Sequence, residues 1–213
     1  MIKYYPLNVS LKNKKCVVLG AGAVALRKVK RLLEYGAVVL VVGQKIVKPL
    51  EKLANQKKII FKNNKADLKD LKGAFLVVAA TDDRKLNARV SAYCLKKNVL
   101  VNIVDSPREC NFILPSILRR GSLAISVSTD GVSPALAKKI RKEIGQKFGF
   151  EYAKLLKLIK QVRPEVLKKI KDAQARKLFF ARIFRPQILD LIRKNNQPEV
   201  RKKIREYLKN AQH

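Results

Sequence analysis

The fold of this chain is decided by the stretch Val17-Val-Leu-Gly-Ala-Gly-Ala-Val-Ala25. A short apolar run ends there in G-x-G-x-x-A and passes into a helical pattern, which predicts a strand, a tight turn and a helix start. Gly20 permits the turn, Gly22 leaves room for a phosphate near backbone N–H groups, and Ala25 lets the helix approach the strand. The stretch predicts a dinucleotide site, although such a glycine pair also occurs in ordinary turns.

Strands and helices alternate through the first half of the chain, which predicts a Rossmann-type, doubly wound parallel sheet of the α/β class. The predicted strands cover residues 15–19, 37–42, 59–61, 75–80 and 99–104. The predicted helical segments cover residues 23–35, 47–55, 67–71 and 82–97. Either Asp82 or Asp83 is expected to cap the last of these helices.

The pattern changes after this sheet. Two strand-like runs, 111–118 and 123–128, are joined by Arg119-Arg120-Gly121-Ser122, which predicts a hairpin with a glycine-containing turn. Ser133 is expected to cap a following helix that begins at Pro134.

The remaining segment, residues 150–212, is predicted to be helical with interruptions near Pro164, Pro186 and Pro198. Its expected packing face consists of Leu155, Leu156, Leu158, Ile159, Leu178, Phe179 and Ile183. We therefore expect three parts: a Rossmann-type domain over 1–112, a small α+β domain over 113–148 and an α-helical C-terminal domain over 149–213.

Composition excludes several classes of protein. The chain has 213 residues, of which 47% are hydrophobic, and no apolar run is long enough to span a bilayer. No signal-peptide pattern opens it, so a cytoplasmic protein without a membrane partner is expected. Cys16, Cys94 and Cys110 are expected to be small buried residues and not metal ligands. The single histidine, His213, excludes a His-containing triad and a zinc site of His/Cys type.

The formal net charge of +32 favours anionic partners. Nucleic acid is one such partner, and a polyanionic small molecule is another. A generally lysine-rich composition explains the same excess, because the basic residues are spread along the whole chain.

Two further clusters are expected beside the glycine turn, because the carboxyl ends of parallel strands share one edge of a sheet. Residues 79–83 follow the fourth strand, and residues 102–107 follow the fifth. Thr81 and Asp82 could line a cofactor or only cap a helix. Asp105 should face the crevice, unless it only forms an Asx turn before Pro107.

One element of the dinucleotide pattern is missing. An acidic residue that binds the ribose hydroxyls is expected about 20 residues after the glycines. Here the second strand is followed by Gly43-Gln44-Lys45, and the next acid is Glu51. Gln44 could bind a ribose through its amide, whereas Lys45 and Lys48 could accept a 2′-phosphate. These residues leave NAD and NADP open.

An ordered set of motifs resembles the precorrin-2 dehydrogenase family, also described as the siroheme synthase N-terminal family. The motifs are Gly20-Ala-Gly-Ala-Val-Ala-Leu-Arg-Lys28, Ala79-Ala-Thr-Asp-Asp83, Asn102-Ile-Val-Asp-Ser-Pro107, Asn111-Phe-Ile-Leu-Pro-Ser116 and Ser126-Val-Ser-Thr-Asp-Gly-Val-Ser-Pro134. The resemblance covers residues 1 to about 148 strongly and the helical segment more loosely.

The resemblance implies NAD-dependent oxidation of precorrin-2, a polycarboxylate tetrapyrrole, to sirohydrochlorin by an intertwined homodimer. Its small central domain would serve dimerisation. The family lacks the ribose acid, which favours NAD over NADP. Some members also insert ferrous iron, so transient Fe²⁺ binding is allowed but no resident metal is expected. Thr129 and Asp130 stand where related siroheme synthases have serine and glycine, which leaves iron insertion open.

The resemblance also assigns roles to residues. It makes Asp105 the catalytic aspartate, and a carboxylate suits proton transfer in a chain without an internal histidine. The predicted cofactor-binding residues are Gly20, Gly22, Ala23, Val24, Gln44, Lys45, Thr81 and Asp82. The predicted substrate-binding residues are Asn102, Ser116, Arg119, Arg120, Ser128, Thr129 and Lys138.

Basic residues near this site suit a polyanionic substrate, since arginine can bind a carboxylate through two N–H groups. The residues concerned are Arg108, Arg119, Arg120, Lys138, Lys139 and Arg141. At least half of them are expected to be solvated surface charges. Two alternatives remain: an NAD-sensing regulatory domain without catalysis, and a nucleic-acid-binding protein, which leaves the glycine turn unexplained.

Overall fold

The computed structural model describes residues 3–210, so His213 lies outside the described residues. The chain divides between Leu114 and Pro115 into two compact units. The predicted boundaries near residues 112 and 148 stay predictions.

The first unit is built on a parallel sheet of five strands. They are β1 (Lys15–Leu19), β2 (Val38–Val42), β3 (Ile60–Lys62), β4 (Leu76–Ala79) and β5 (Leu100–Ile103). Their order is β3-β2-β1-β4-β5, and each neighbouring pair is parallel. This arrangement confirms the predicted doubly wound α/β sheet and places β1 at its centre.

A helical segment follows each of these strands. These segments are α1 (Ala23–Glu34), α2 (Lys48–Asn55), α3 (Arg84–Lys96) and two short 3₁₀ helices at Leu68–Leu71 and Pro107–Glu109. Asp83 caps α3 because its carboxylate accepts a hydrogen bond of 3.0 Å from the Leu86 N–H. The sequence left Asp82 and Asp83 open as the cap, and the structure selects Asp83.

Both faces of the central strand are buried, which explains why β1 is a continuous apolar run. Cys16 and Val18 belong to the apolar cluster that contains residues of α1 and α2. Val17 and Leu19 belong to the opposite cluster, which contains residues of α3. Full burial of such side chains is worth about 1.5–3 kcal/mol each, so this strand fixes the glycine turn that follows it.

The second unit begins with an antiparallel hairpin, β6 (Ser116–Arg120) and β7 (Leu123–Val127). The predicted strand over 111–118 was wrong in its first half. The Asn111 N–H donates to the carbonyl of Val101 at 3.2 Å, so this stretch lies along β5 in the first unit. Arg119 and Arg120, predicted as turn residues, are strand residues, because the turn consists only of Gly121 and Ser122.

The hairpin packs against α4 (Pro134–Lys147). The Ser133 hydroxyl accepts a hydrogen bond of 3.2 Å from the Leu136 N–H, which confirms the predicted cap and the helix start at Pro134.

Four helices complete the second unit: α5 (Glu151–Lys169), α6 (Ala173–Ile183), α7 (Pro186–Arg193) and α8 (Gln197–Lys209). The predicted interruption at Pro164 was wrong, since α5 continues through it. An internal proline costs about 3 kcal/mol, and burial of Leu155 and Val166 on either side of it offsets this cost. Leu178, expected in the packing face, is exposed, whereas Phe179 and Ile183 are buried.

Cys16, Cys94 and Cys110 are buried, as predicted, and each carries a free thiol. Within residues 3–210, no helix has both the length and the apolar character needed to cross a membrane.

Candidate functional site

The glycine turn is held between the ends of two strands. The Gly20 N–H donates to the carbonyl of Val42 at 2.8 Å, and Gly20 adopts a φ of 99°. A Cβ at Gly20 would overlap the carbonyl oxygen of Ala80. Only glycine satisfies both the left-handed backbone and this close approach.

The helix that follows offers unpaired N–H groups to an anion. Gly22 precedes α1, and neither a capping side chain nor an acidic residue occurs in the described first turn. Ala23 and Val24 begin the helix, where backbone N–H groups have no acceptor within an α-helix. Among the described residues, no atom outside the adjoining backbone lies within 4 Å of the position that a Cβ would take at Gly22, so the space in front of it is open. This donor set fits a pyrophosphate.

The segment that follows β2 packs closely against the same glycine turn. A Cβ at Gly43 would lie 3.0 Å from the Cβ of Ala21 and 3.1 Å from its nitrogen. The Val47 N–H donates to the Ala21 carbonyl at 3.1 Å. Gln44 and Lys45, exposed between these two contacts, lie where β2 leaves the sheet. The pattern G-x-G-x-x-A does not include Gly43, and sequence reasoning gave it no role.

Of the two predicted cofactor residues after β4, Thr81 makes hydrogen bonds within the protein and Asp82 is exposed to solvent. The Thr81 hydroxyl donates to Oδ1 of the buried Asn87 at 2.9 Å, and Nδ2 of Asn87 donates to the Thr81 carbonyl at 3.0 Å. The Thr81 hydroxyl has donated its proton and can therefore only accept a hydrogen bond from a ligand. Asp82 is exposed, whereas its neighbour Asp83 caps α3.

Asp105 lies at the same edge of the sheet. The strand register places Leu19, Ala79 and Ile103 side by side, so the glycine turn and Asp105 leave the sheet at one edge. Asp105 is exposed and adopts a left-handed φ of 60°. Its carboxylate accepts no hydrogen bond from the described residues, and this excludes the Asx turn there.

Lys28 brings a positive charge to Asp105. It is a half-buried residue of α1, and burial lowers the pKa of its ammonium, as does the neighbouring Arg27. The charge of the Asp105 carboxylate acts in the opposite direction and raises the pKa of Lys28. Helix α1 and the end of β5 are therefore close enough to interact electrostatically. Sequence reasoning noted Lys28 in the motif but gave it no role.

Asn102 is engaged by its own neighbourhood. Its amide nitrogen lies 3.3 Å from the carbonyl of Phe112 and 3.6 Å from the sulfur of Cys110. Its Oδ1 is the remaining group for a substrate, so the predicted role would use its acceptor and not its donors.

In the second unit, Ser128 and Thr129 shape the loop between β7 and α4. The Ser128 hydroxyl accepts from the Asp130 N–H at 3.1 Å, and the Thr129 hydroxyl accepts from the Ser133 N–H at 3.0 Å. Asp130 has a φ of 49°, which explains why the family resemblance gives glycine at this position.

The other predicted substrate residues of this unit differ in exposure and in their contacts. Nε of Arg120 donates to the Phe148 carbonyl at 3.2 Å, and its guanidinium carbon lies 4.6 Å from the centre of the Phe150 ring. Arg119 and Lys138 are exposed, and Ser116 is half-buried at the start of β6. Arg120 is thus a packing residue as well as a candidate ligand. Within residues 3–210, no group of three His, Cys, Asp or Glu side chains could hold a metal ion.

The glycine turn, the uncapped helix and the row of strand ends define a dinucleotide-binding protein of the Rossmann type. Comparisons with known families agree. Residues 7–116 match a family described as putative NAD(P)-binding, residues 120–147 match the central region of sirohaem biosynthesis proteins, and residues 151–208 match the sirohaem synthase dimerisation region. The chain belongs to this NAD(P)-binding family, in the siroheme synthase N-terminal group that its motifs predicted.

Individual relatives carry the same names. A siroheme synthase of Ectopseudomonas mendocina is 35% identical over 99% of this chain and 45% of its own length. One of Vesicomyosocius okutanii is 36% identical over 74% of this chain and 34% of its own length. The chain thus spans less than half the length of these curated relatives. A solved structure, SirC, precorrin-2 dehydrogenase, superposes with a TM-score of 0.79 at 25% identity, covering 96% of this chain and 100% of SirC.

Proposed function

We propose that this chain catalyses the NAD-dependent dehydrogenation of precorrin-2 to sirohydrochlorin in siroheme biosynthesis. The observation that carries the proposal is the free, exposed carboxylate of Asp105 at the sheet edge that also holds the glycine turn. The likeness to SirC along nearly the whole chain supplies the reaction.

The cofactor would lie along this edge. Backbone N–H groups at Ala23 and Val24 would bind the pyrophosphate in the space left open above Gly22. Gln44 and Lys45 would contact the adenosine ribose, because they follow β2. Thr81 and Asp82 would lie toward the nicotinamide ribose after β4. Bound NAD supplies a hydride acceptor, the C4 atom of its nicotinamide ring.

Asp105 would act as the base. Removal of two hydrogens from the substrate breaks two bonds to hydrogen and forms one new double bond. With NAD bound as the acceptor of one hydrogen and its electron pair, the Asp105 carboxylate would accept the other hydrogen as a proton. A positioned general base contributes about 10²- to 10⁴-fold to the rate of such a step. Lys28 would keep this carboxylate in a positive environment.

Basic side chains would bind the carboxylates of the substrate. A positively charged cleft raises the local concentration of a polyanion and its rate of capture. The proposed substrate-binding residues remain Asn102, Ser116, Arg119, Arg120, Ser128, Thr129 and Lys138.

We further propose that the active form is a cytoplasmic homodimer. The matched dimerisation region over 151–208 supports the dimer. So do exposed apolar side chains in the second unit, among them Val132, Phe150 and Phe184. A reducing compartment suits the unpaired thiols of the chain. Light scattering during gel filtration tests the dimer, and a mass of about 24 kDa would contradict it.

An anaerobic assay with precorrin-2 and NAD tests the reaction through the formation of NADH. We expect Asp105→Asn to lower kcat about 10²- to 10⁴-fold and to leave NAD affinity unchanged, because the amide keeps the shape but cannot accept the proton. Glu34→Gln is the control, since Glu34 is exposed at the far end of α1 and pairs only with Arg31 among the described residues.

The outcomes separate the alternatives. Wild-type turnover by Asp105→Asn would reject Asp105 as the base. NAD binding without NADH formation from precorrin-2 would instead support the NAD-sensing regulator. A comparison of NAD with NADP tests whether Lys45 favours a 2′-phosphate.

Iron insertion is a second activity that the same carboxylate could serve, because it could accept pyrrole N–H protons. Addition of Fe²⁺ or Co²⁺ to sirohydrochlorin, followed by absorbance, measures it directly. Metal insertion above the uncatalysed rate that Asp105→Asn abolishes would establish this second activity, and a rate equal to that without protein would limit the chain to dehydrogenation.

A further inference from the structure

The buried side chain of Cys110 makes hydrogen bonds to the backbone on both sides of the turn at Asp105. The Ile103 N–H donates to the sulfur of Cys110 at 3.1 Å. The same sulfur lies 3.2 Å from the carbonyl oxygen of Ser106 and 3.4 Å from that of Ile103, so the thiol proton can be donated to either. One side chain therefore links the residues on both sides of Asp105.

These links matter because little else fixes the Asp105 carboxylate. It accepts no hydrogen bond from the described residues, so its direction depends on the backbone that carries it. That backbone is left-handed at Asp105, with a φ of 60°, a conformation that is unfavourable for most residues other than glycine. The backbone bond within the turn, from the Ser106 N–H to the Ile103 carbonyl, is long at 3.3 Å.

Cys110 is itself anchored to the rest of the first unit. The neighbouring Glu109 carbonyl accepts a hydrogen bond of 2.8 Å from the hydroxyl of the buried Ser91 on α3. On the other side, the Asn111 side chain accepts from the Val101 N–H at 2.7 Å and donates to the Val99 carbonyl at 2.9 Å. The sulfur is thus held at a fixed point beside β5.

The other two cysteines show that burial alone does not produce this arrangement. Cys16 and Cys94 are fully buried in the same unit, and among the described residues no hydrogen bond involves their sulfur atoms. Burial raises the pKa of Cys110 as well, which keeps its thiol protonated and able to donate near neutral pH.

We propose that Cys110 is a positioning residue whose thiol fixes the left-handed turn and thereby aims the Asp105 carboxylate. The catalytic part of this inference rests on the proposed function of Asp105 as the base. The sequence shows only a lone cysteine five residues after Asp105, and the structure supplies the contacts.

Three variants test it: Cys110→Ala removes the contacts, Cys110→Ser keeps a donor and an acceptor, and Cys94→Ala is the matched buried control. We expect Cys110→Ala to lower kcat about 10- to 100-fold, because a misplacement of about 1 Å costs this much. NAD affinity should stay within about twofold of wild type, since the glycine turn is untouched. Cys110→Ser should recover most of kcat, and Cys94→Ala should keep it.

Amide hydrogen exchange, measured by NMR, gives a readout that does not need activity. The amides of Ile103 and Ser106 should exchange at least about tenfold faster in Cys110→Ala than in Cys94→Ala or in wild type. Equal exchange rates of these two amides in Cys110→Ala and Cys94→Ala would overturn the proposal. An equal loss of kcat in the two variants would overturn it as well. If Asp105→Asn keeps full turnover, the proposed role of Asp105 as the base fails, whereas the exchange comparison still decides whether the thiol fixes the turn.

Discussion

Gly20 and Gly22 belong to one motif, yet the structure requires them for different reasons. Gly20 has a left-handed backbone and no space for a Cβ, because the Ala80 carbonyl occupies that position. Gly22 has an ordinary backbone with a φ of −86° and open space in front of it. The first glycine therefore serves the fold, and the second leaves room for the cofactor.

This difference gives a paired prediction. Gly20→Ala should lower the free energy of unfolding by at least about 2 kcal/mol, through backbone strain and steric overlap. Gly22→Ala should change it by less than about 1 kcal/mol but weaken NAD binding at least tenfold. Urea unfolding and calorimetric titration with NAD measure the two effects. Equal loss of stability in both variants would contradict the division of roles.

The buried thiols give a pH prediction. Burial raises the pKa of Cys16 and of Cys94 to about 11, above the ordinary value of 9.0. Between these two pH values the unfolded chain loses thiol protons that the native state keeps. The contribution of these thiols to stability is therefore complete below pH 9 and falls as the pH rises toward about 11.

Urea unfolding at a series of pH values measures this contribution. The double variant Cys16→Ala, Cys94→Ala should be less stable than wild type near neutral pH, because it loses packed atoms. The difference between the two proteins should shrink as the pH rises from 9 to 11. A difference that stays constant with pH would show that these thiols do not titrate with unfolding.

At the scale of elements, the start of helix α3 gives two adjacent carboxylates, Asp82 and Asp83, different roles. Asp83 accepts a hydrogen bond from the Leu86 N–H, whereas Asp82 is exposed and belongs to the proposed cofactor site. Asp83→Ala should cost about 1 kcal/mol of stability, and Asp82→Ala should leave stability unchanged. Thermal unfolding of the two variants checks this. A larger loss in Asp82→Ala would make Asp82 the cap.

The elements also show what local sequence can predict. The strand β1 was predicted with its observed bounds, because a continuous apolar run followed by glycine is a strong local signal. The segment at 111–115 was wrongly predicted as hairpin strand, because its partner is the distant β5. The predicted interruption at Pro164 was wrong for the same reason, because packing in the tertiary structure keeps α5 helical.

At the scale of the whole molecule, charge is the dominant feature. The chain carries 48 basic and 16 acidic residues, so most of its positive charge has no acidic partner. Ion pairs such as Lys62–Asp70 and Arg193–Glu151 engage only a few of the basic side chains described. A net charge this large destabilises a compact state by self-repulsion and attracts polyanions.

Salt should therefore stabilise the protein. Between about 0.01 M and about 0.1 M NaCl the Debye length falls from about 30 Å to about 10 Å, and we expect Tm to rise by several degrees. The same change should raise KM for the polyanionic substrate, because screening weakens its attraction. An uncharged osmolyte at equal osmolality is the control for Tm. A Tm that falls with NaCl would contradict self-repulsion.

The sequence by itself determined the parallel sheet, the glycine turn and the place of Asp105 after β5, because these depend on local runs of residues and on their order. Only the tertiary structure decided that Asp83 is the cap, that Asn111 follows β5, that Lys28 interacts with Asp105 and that Cys110 spans the turn at that residue. The cap depends on the exact residue at which α3 begins, whereas the other three contacts join different segments of the chain, so their physical reason is the packing of the fold. Contacts between separate elements form only when packing brings together residues that no local pattern connects.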